Sequence, residues 1–314
     1  MESRMKHLFI IGNGFDCYEH NLPTKYADFR SYILSRYPGA DEYDDLIPES
    51  TTMPDGDEVL DMEEVAGYIT RVIDACGGDT WNELEYYLGA SLFDALHDDL
   101  DEVPWDGPDK ETRHAIYNNE DRSSNMKQVF VYIKDLFCDW VRDELADLDF
   151  TGIRKNNVAK VMSKGDGFLN FNYTEPLEEV YGISKDSICH IHGKVGDVPE
   201  KIFFGHGDEE DGPEWADSLG SESNFSELKR EFKKDTSTAL DEHIDFFKRM
   251  GDLKTIHSFG FGFADVDMLY IEEIAERVDP NSVTWFLSSY DRDNAKKCQK
   301  LENLGFHVAV DGRW

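Results

Sequence analysis

Apolar positions along this chain switch between two spacings, and the switch divides it. His7-Leu8-Phe9-Ile10-Ile11 is a compact apolar run of the kind that forms a strand buried on both faces. Gly12-Asn13-Gly14-Phe15-Asp16 follows it, where a parallel strand turns toward a ligand. Pro23-Thr24 offers a helix start, and Tyr26, Phe29, Ile33, Leu34 and Tyr37 recur at helical spacing until Pro38-Gly39. Residues 39–58 are rich in Asp, Glu, Pro and Gly and read as an exposed loop. Val65, Ile69, Val72 and Ile73 then form one apolar face and Trp81, Leu84, Tyr87, Leu88, Leu92 and Leu96 another, which predicts two helices over 60–96. An acidic link over 97–110 precedes a further helical pattern over 126–148. Beyond Gly167, short apolar runs at 168–171, 188–191, 202–204, 255–259, 283–287 and 306–310 alternate with helix candidates at 175–182, 224–249, 266–278 and 291–304. The expected fold is α/β: residues 1–38 and 150–314 form a core around one parallel sheet, and 39–149 form a mainly helical insertion with acidic loops.

Charge narrows the function classes. The 32 Lys and Arg stand against 66 Asp and Glu, a formal net charge of −34, which repels phosphate backbones and anionic lipid and disfavours nucleic-acid or membrane-surface binding. At 40% hydrophobic residues the chain is nonetheless too apolar for an acidic disordered tail. No run approaches a membrane-spanning length and the start is polar, so a cytoplasmic location is expected. Five scattered cysteines with no CxxC pair fit reduced thiols and disfavour a structural zinc ribbon.

Four segments at strand ends can carry chemistry. In Gly12-Asn13-Gly14 the two glycines permit close backbone approach to a pyrophosphate, or simply a tight structural turn; no GxxxxGK[ST] loop is present. In Asn170-Phe171-Asn172-Tyr173-Thr174, an Asn can grip ribose hydroxyls or a water, or cap the following helix. In Cys189-His190-Ile191-His192-Gly193, strand alternation puts both histidines on one face, as general bases, as structural groups, or as metal ligands with His206 and Asp208 completing the set. In the segment from Ser258 to Asp267, glycines can approach a nucleotide and Asp265 or Asp267 can cap a helix or accept ribose bonds, and Ser288-Ser289-Tyr290-Asp291 ends the next strand similarly. No GxSxG elbow, HExxH helix or nuclease-like acidic run is present.

Taken in order, IIGNGFD with LPTKYADF behind it, WNELE at 81–85, FNYTEPLE at 171–178, HIHG at 190–193 and the segment ending in Asp267 resemble the bacteriophage abortive-infection family AbiH over nearly the whole chain. The family is more distantly similar to sirtuin-like NAD-binding proteins. That resemblance implies a Rossmann-like, sirtuin-like sheet and an antiphage effector that hydrolyses NAD or a related dinucleotide at the nicotinamide–ribose bond. It places Gly12, Asn13 and Gly14 under the dinucleotide, with Phe15, Thr174, Gly193, Gly260 and Asp267 as further contacts. Asn172 falls where the catalytic Asn stands and His192 where the catalytic His stands; Asp16 is a further candidate for contacting substrate or positioning water. The paired zinc cysteines of sirtuins are missing, so no structural zinc is expected, and Phe261 stands where AbiH members often have His. The alternative is a nucleotide-sensing or protein-interaction module without hydrolysis, then a nuclease. A phage trigger and a homo-oligomer are compatible with either of the first two.

Overall fold

The apolar strand β1 (His7–Ile11) is buried because it lies at the centre of a sheet and is paired on both sides. The computed structural model describes residues 5–42, 47–75, 81–90, 92–104, 107–155, 157–163, 165–207, 219–289 and 294–311. Asp208 and the Tyr290-Asp291 pair lie outside the described residues. After β1 come helices α1 (Tyr26–Arg36), α2 (Met62–Ala75), α3 (Trp81–Ala90), α4 (Leu92–His97) and α5 (Asp109–Trp140). Strand β2 (Gly167–Asn170), α6 (Pro176–Glu179), β3 (Ile188–His190), α7 (Glu222–Phe232), α8 (Thr236–Glu242) and α9 (Ile244–Phe247) follow. Strand β4 (Thr255–Phe259), α10 (Met268–Arg277), β5 (Thr284–Ser288), α11 (Asn294–Asn303) and β6 (His307–Asp311) complete the order.

The chain divides into two units. The first, residues 1–24, 141–203 and 235–314, holds a six-stranded sheet in which every pair is parallel and the order is β3-β2-β1-β4-β5-β6. The order reverses at β1, so the loops leaving β1 and β4 are neighbours at the carboxyl edge. Alternation sends Leu8, Ile10, Leu169, Ile256, Trp285 and Leu287 into one buried cluster with α8, α9 and α10, and Phe9, Ile11 and Phe168 into another with Leu177 and Tyr181. On the second face the in-register residues Phe168, Phe9, His257 and Phe286 stack across four strands, with centroids 5.3, 4.9 and 4.9 Å apart and interplanar angles of 16° or less.

The second unit, residues 25–140 and 204–234, is helical. It includes α1 and α7, because α1 packs on α2 and α5 and α7 packs along α5. The expected boundaries, 1–38 and 150–314 against 39–149, had placed both helices with the sheet. Helix α5 begins at Asp109, far before the expected start at 126. Its first half buries Ala115, Asn119 and Ser123, residues too small or polar to register as an apolar stripe, and the Asn119 side chain closes on the backbone of Asp101 and Leu219. Among the described residues no helix is long and apolar enough to cross a membrane.

Two other expectations change. Residues 202–204 form no strand: Phe203 N–H donates to the His192 carbonyl and Tyr173 Oη to the Phe203 carbonyl, which fixes the run as buried coil. The pattern over 224–249 breaks after α7, where Lys233 is extended, and α8 restarts on an Asp235 cap that accepts from Thr238 N–H at 3.0 Å. In the 39–58 loop, Thr51–Thr52 pairs with Glu58–Val59 as a small exposed antiparallel ribbon.

The helical unit buries an ion pair, Lys234 Nζ to Glu85 Oε1 at 2.9 Å, with side chains 2% and 10% exposed. Removing one partner takes the facing charge from a buried site. Lys234→Met is expected to destabilise by about 3–5 kcal/mol in urea unfolding, and adding Glu85→Leu to recover most of the loss.

Candidate active site

Glycines bring the loops after β1 and β4 into backbone contact. Gly12 N–H donates to the Phe259 carbonyl at 3.0 Å and Gly14 N–H to the Gly260 carbonyl at 3.1 Å, while Phe15 N–H closes back on Gly12 at 2.9 Å. A Cβ on Gly12 would lie 2.5 Å from the Gly260 carbonyl oxygen, and one on Gly260, whose φ is +61°, would lie 2.4 Å from Phe15 N. The expected phosphate loop is therefore a loop-to-loop seam whose Gly12, Gly14 and Phe15 amides already bond to protein carbonyls. Asn13 braces it, its Nδ2 donating to the Thr24 carbonyl at 2.9 Å.

The chain leaves this seam in a π-helical turn, Phe15–Glu19, a geometry enriched at functional sites, and the turn carries Asp16 inward. Asp16 is fully buried and accepts a hydrogen bond from the Thr174 hydroxyl. Asn172, just past β2, stands beside it, with Nδ2 donating to the Gly12 carbonyl at 3.2 Å and its own N–H to Asn170 Oδ1 at 3.1 Å. Next to Asn172 is His190, at the end of β3, with Nδ1 3.0 Å from the Asn172 carbonyl and Nε2 3.0 Å from Glu178 Oε1. Burial dominates the Asp16 carboxyl and raises its pKa to about 7, although Thr174, Asn172 and a charge on His190 all pull it down. Among the described residues Asp16 Oδ1 and Asn172 Oδ1 have no hydrogen-bond partner. Three adjacent strand ends thus converge on one carboxyl that titrates near neutrality, two open acceptor atoms and one imidazole.

His192 faces other neighbours. Strand β3 stops at His190 and turns, with Gly193 N–H donating to the His190 carbonyl, so alternation does not carry on to residue 192. His190 meets Asn172 and Glu178, whereas His192 Nε2 lies 3.3 Å from Asp267 Oδ1 and its ring packs on Phe171 and Tyr270. The expected shared face does not form. Gly193, at φ +81°, would set a Cβ 2.1 Å from the Lys201 carbonyl oxygen, so this glycine serves the turn. His206 belongs to the helical unit, where its Nε2 lies 3.1 Å from the Lys229 carbonyl. Among the described residues no three His, Cys, Asp or Glu gather as a metal site.

The loop from Gly260 to Asp267 is held from α11. Lys297 Nζ donates to the Phe261 carbonyl at 2.7 Å and Lys300 Nζ to the Phe263 carbonyl at 2.8 Å. Phe263 is buried at φ +55°, an uncommon conformation for so bulky a residue. Phe261 packs on Phe171 with ring centroids 4.3 Å apart. His190 is among the candidate bases of the sequence, whereas Glu178 and Lys297 are not among the expected site residues. The sheet register sets His190 beside Asn170; Lys297 reads in sequence as an ordinary surface lysine.

Unfolded, the Asp16 carboxyl ionises near 4, and folded near 7. Between those values unfolding releases a proton, so stability falls as pH rises through the window, by about 4 kcal/mol in total, and levels above it. Asp16→Asn is expected to match wild type near pH 4 and to exceed it by about 2–4 kcal/mol at pH 7.5 in urea unfolding. Gly260→Ala, with the Gly14–Phe15 backbone against its new methyl, is expected to cost about 3 kcal/mol in the same measurement.

No curated protein and no solved structure gives a significant match to the chain. The family model described as bacteriophage abortive infection AbiH matches residues 8–289, from β1 through the end of β5, and so takes in both units and all the strand-end loops described above. The chain therefore belongs to the AbiH abortive-infection family, and its general role lies in defence against phage.

Proposed function

We propose that the protein is an antiphage effector that hydrolyses NAD or a related dinucleotide at the nicotinamide–ribose bond. The observation that carries this reading is the buried Asp16 carboxyl, titrating near neutrality, with Asn172 and His190 beside it at three neighbouring strand ends. The sheet order, 3-2-1-4-5-6 when its strands are numbered along the chain, supports it, since doubly wound sheets of that order bind dinucleotides outside the carboxyl ends of their strands at the point of reversal.

The bond from ribose C1′ to the nicotinamide nitrogen breaks, and nicotinamide leaves with the electron pair that neutralises its ring. The ribosyl group left behind is oxocarbenium-like. Water adds at C1′ and gives up one proton, so the products are nicotinamide, the ADP-ribose part and a proton. Ionised Asp16 is the base for that proton, and Asn172 Oδ1 accepts from the water or a ribose hydroxyl and fixes its direction of attack. His192, oriented by Asp267 and walled by Phe171 and Tyr270, is the second candidate base, on the side facing the β4 loop. Since the Gly12 and Gly14 amides serve the seam, the diphosphate is held by other groups.

Purified protein, assayed alone and with lysate of phage-infected cells, is expected to release nicotinamide from NAD by chromatography. Asp16→Asn, Asn172→Ala and His192→Ala are each expected to lower kcat by about 10²–10⁴-fold with folding retained, and wild-type kcat/KM to rise through about pH 7 as Asp16 ionises. Intact NAD under both conditions overturns the proposal. Binding of NAD without nicotinamide release replaces the hydrolase by a nucleotide sensor.

A further inference from the structure

Beside β3, in the sheet unit, lies a cavity of about 770 Å³, a size typical of small-molecule sites. Four of its sixteen lining residues are Lys or Arg and five are Asp or Glu, so opposite charges meet there. Arg249 is the telling one. Its Nη1 donates to the Asp186 carbonyl at 3.3 Å and its guanidinium lies 5.0 Å from the Phe246 ring, but among the described residues it makes no carboxylate ion pair. Lys185 stands 3.7 Å from Glu175 with its side chain 73% exposed, and Lys201 pairs with Glu242 at 2.7 Å.

The cavity wall also carries Glu178, whose side chain is 5% exposed. Its Oε1 faces His190, and its Oε2 is buried with no hydrogen-bond partner among the described residues. A buried carboxylate oxygen without a donor is costly and calls for one from a ligand. The lining therefore asks for an anion at Arg249 and for hydroxyl or amine donors at Glu178. Phosphate matches a guanidinium and lysines, and sugar hydroxyls match a carboxylate.

We propose that this cavity is a binding site for a nucleoside phosphate, with the phosphate on Arg249, Lys185 and Lys201 and the sugar hydroxyls donating to Glu178. The site goes beyond bond cleavage: it supplies the anion contacts that the glycine seam lacks, and it stands on binding alone.

Titration calorimetry of the intact protein with ADP-ribose tests it. Wild type is expected to bind, with affinity that falls as salt rises. Arg249→Gln and Glu178→Gln are each expected to weaken binding about tenfold, and the exposed pair Lys185→Gln/Lys201→Gln, where folding is not at stake, about threefold to tenfold. Absence of binding overturns the site, as does binding left unchanged in Arg249→Gln and in the lysine pair. Nicotinamide release by a protein whose ADP-ribose affinity ignores these substitutions keeps the hydrolase and removes the cavity. Binding as described with NAD left intact keeps the cavity and removes the hydrolase.

Discussion

The contact on which the rest of the site depends is backbone against backbone, where the turn after β1 meets the turn after β4. Gly12 and Gly260 leave no room for a side chain at the seam. Their hydrogen bonds extend the β1–β4 pairing one step past the last strand residues, and the π-helical turn that starts there directs Asp16 under Asn172. A glycine-rich turn after a first strand thus has two physical uses, cradling a phosphate or locking two loops. In this protein it locks them.

That locking creates an electrostatic problem which the site retains. A carboxyl is placed in a fully buried position, and its neighbours offset only part of the desolvation. Such a placement opposes folding at neutral pH, so its persistence calls for a return in function. Across the sheet edge the same economy governs cations. In a chain with formal charge −34, four lysines and arginines line the cavity beside five carboxylates, while Lys297 and Lys300 hold the β4 loop by its carbonyls.

Much of this was legible from residue order, for identifiable reasons. Buried parallel strands are short apolar runs, and β1, β2, β4 and β5 fall where such runs occur. Residues 202–204 have the same composition, but Phe203 bonds to His192 and Tyr173 and joins no strand. The first half of α5 was invisible because its buried face is made of Ala, Asn and Ser. Strand-end position singles out the segments that hold Asp16, Asn172 and Thr174, the resemblance gives these residues their roles, and the three meet. Alternation offers His190 and His192 alike as bases, and only the resemblance singles out His192; the turn after His190 sends the two to different neighbours. The use of the glycines could not be read from the sequence at all, since a seam and a cradle need the same residues and differ only in what approaches them.

The central position of β1 has a consequence for how the protein is made. The strand at residues 7–11 leaves the ribosome well before its partners, residues 167–170 and 255–259. At ~5–20 residues per second, one edge of β1 waits roughly 10–30 s and the other roughly 12–50 s for a partner to be synthesised. During that interval an apolar strand with two open edges needs shielding from other nascent chains. The same delay has a protective side. The seam, and with it the Asp16 cluster, cannot assemble until the β4 loop has been translated, so a chain cut short before residue 260 lacks the site.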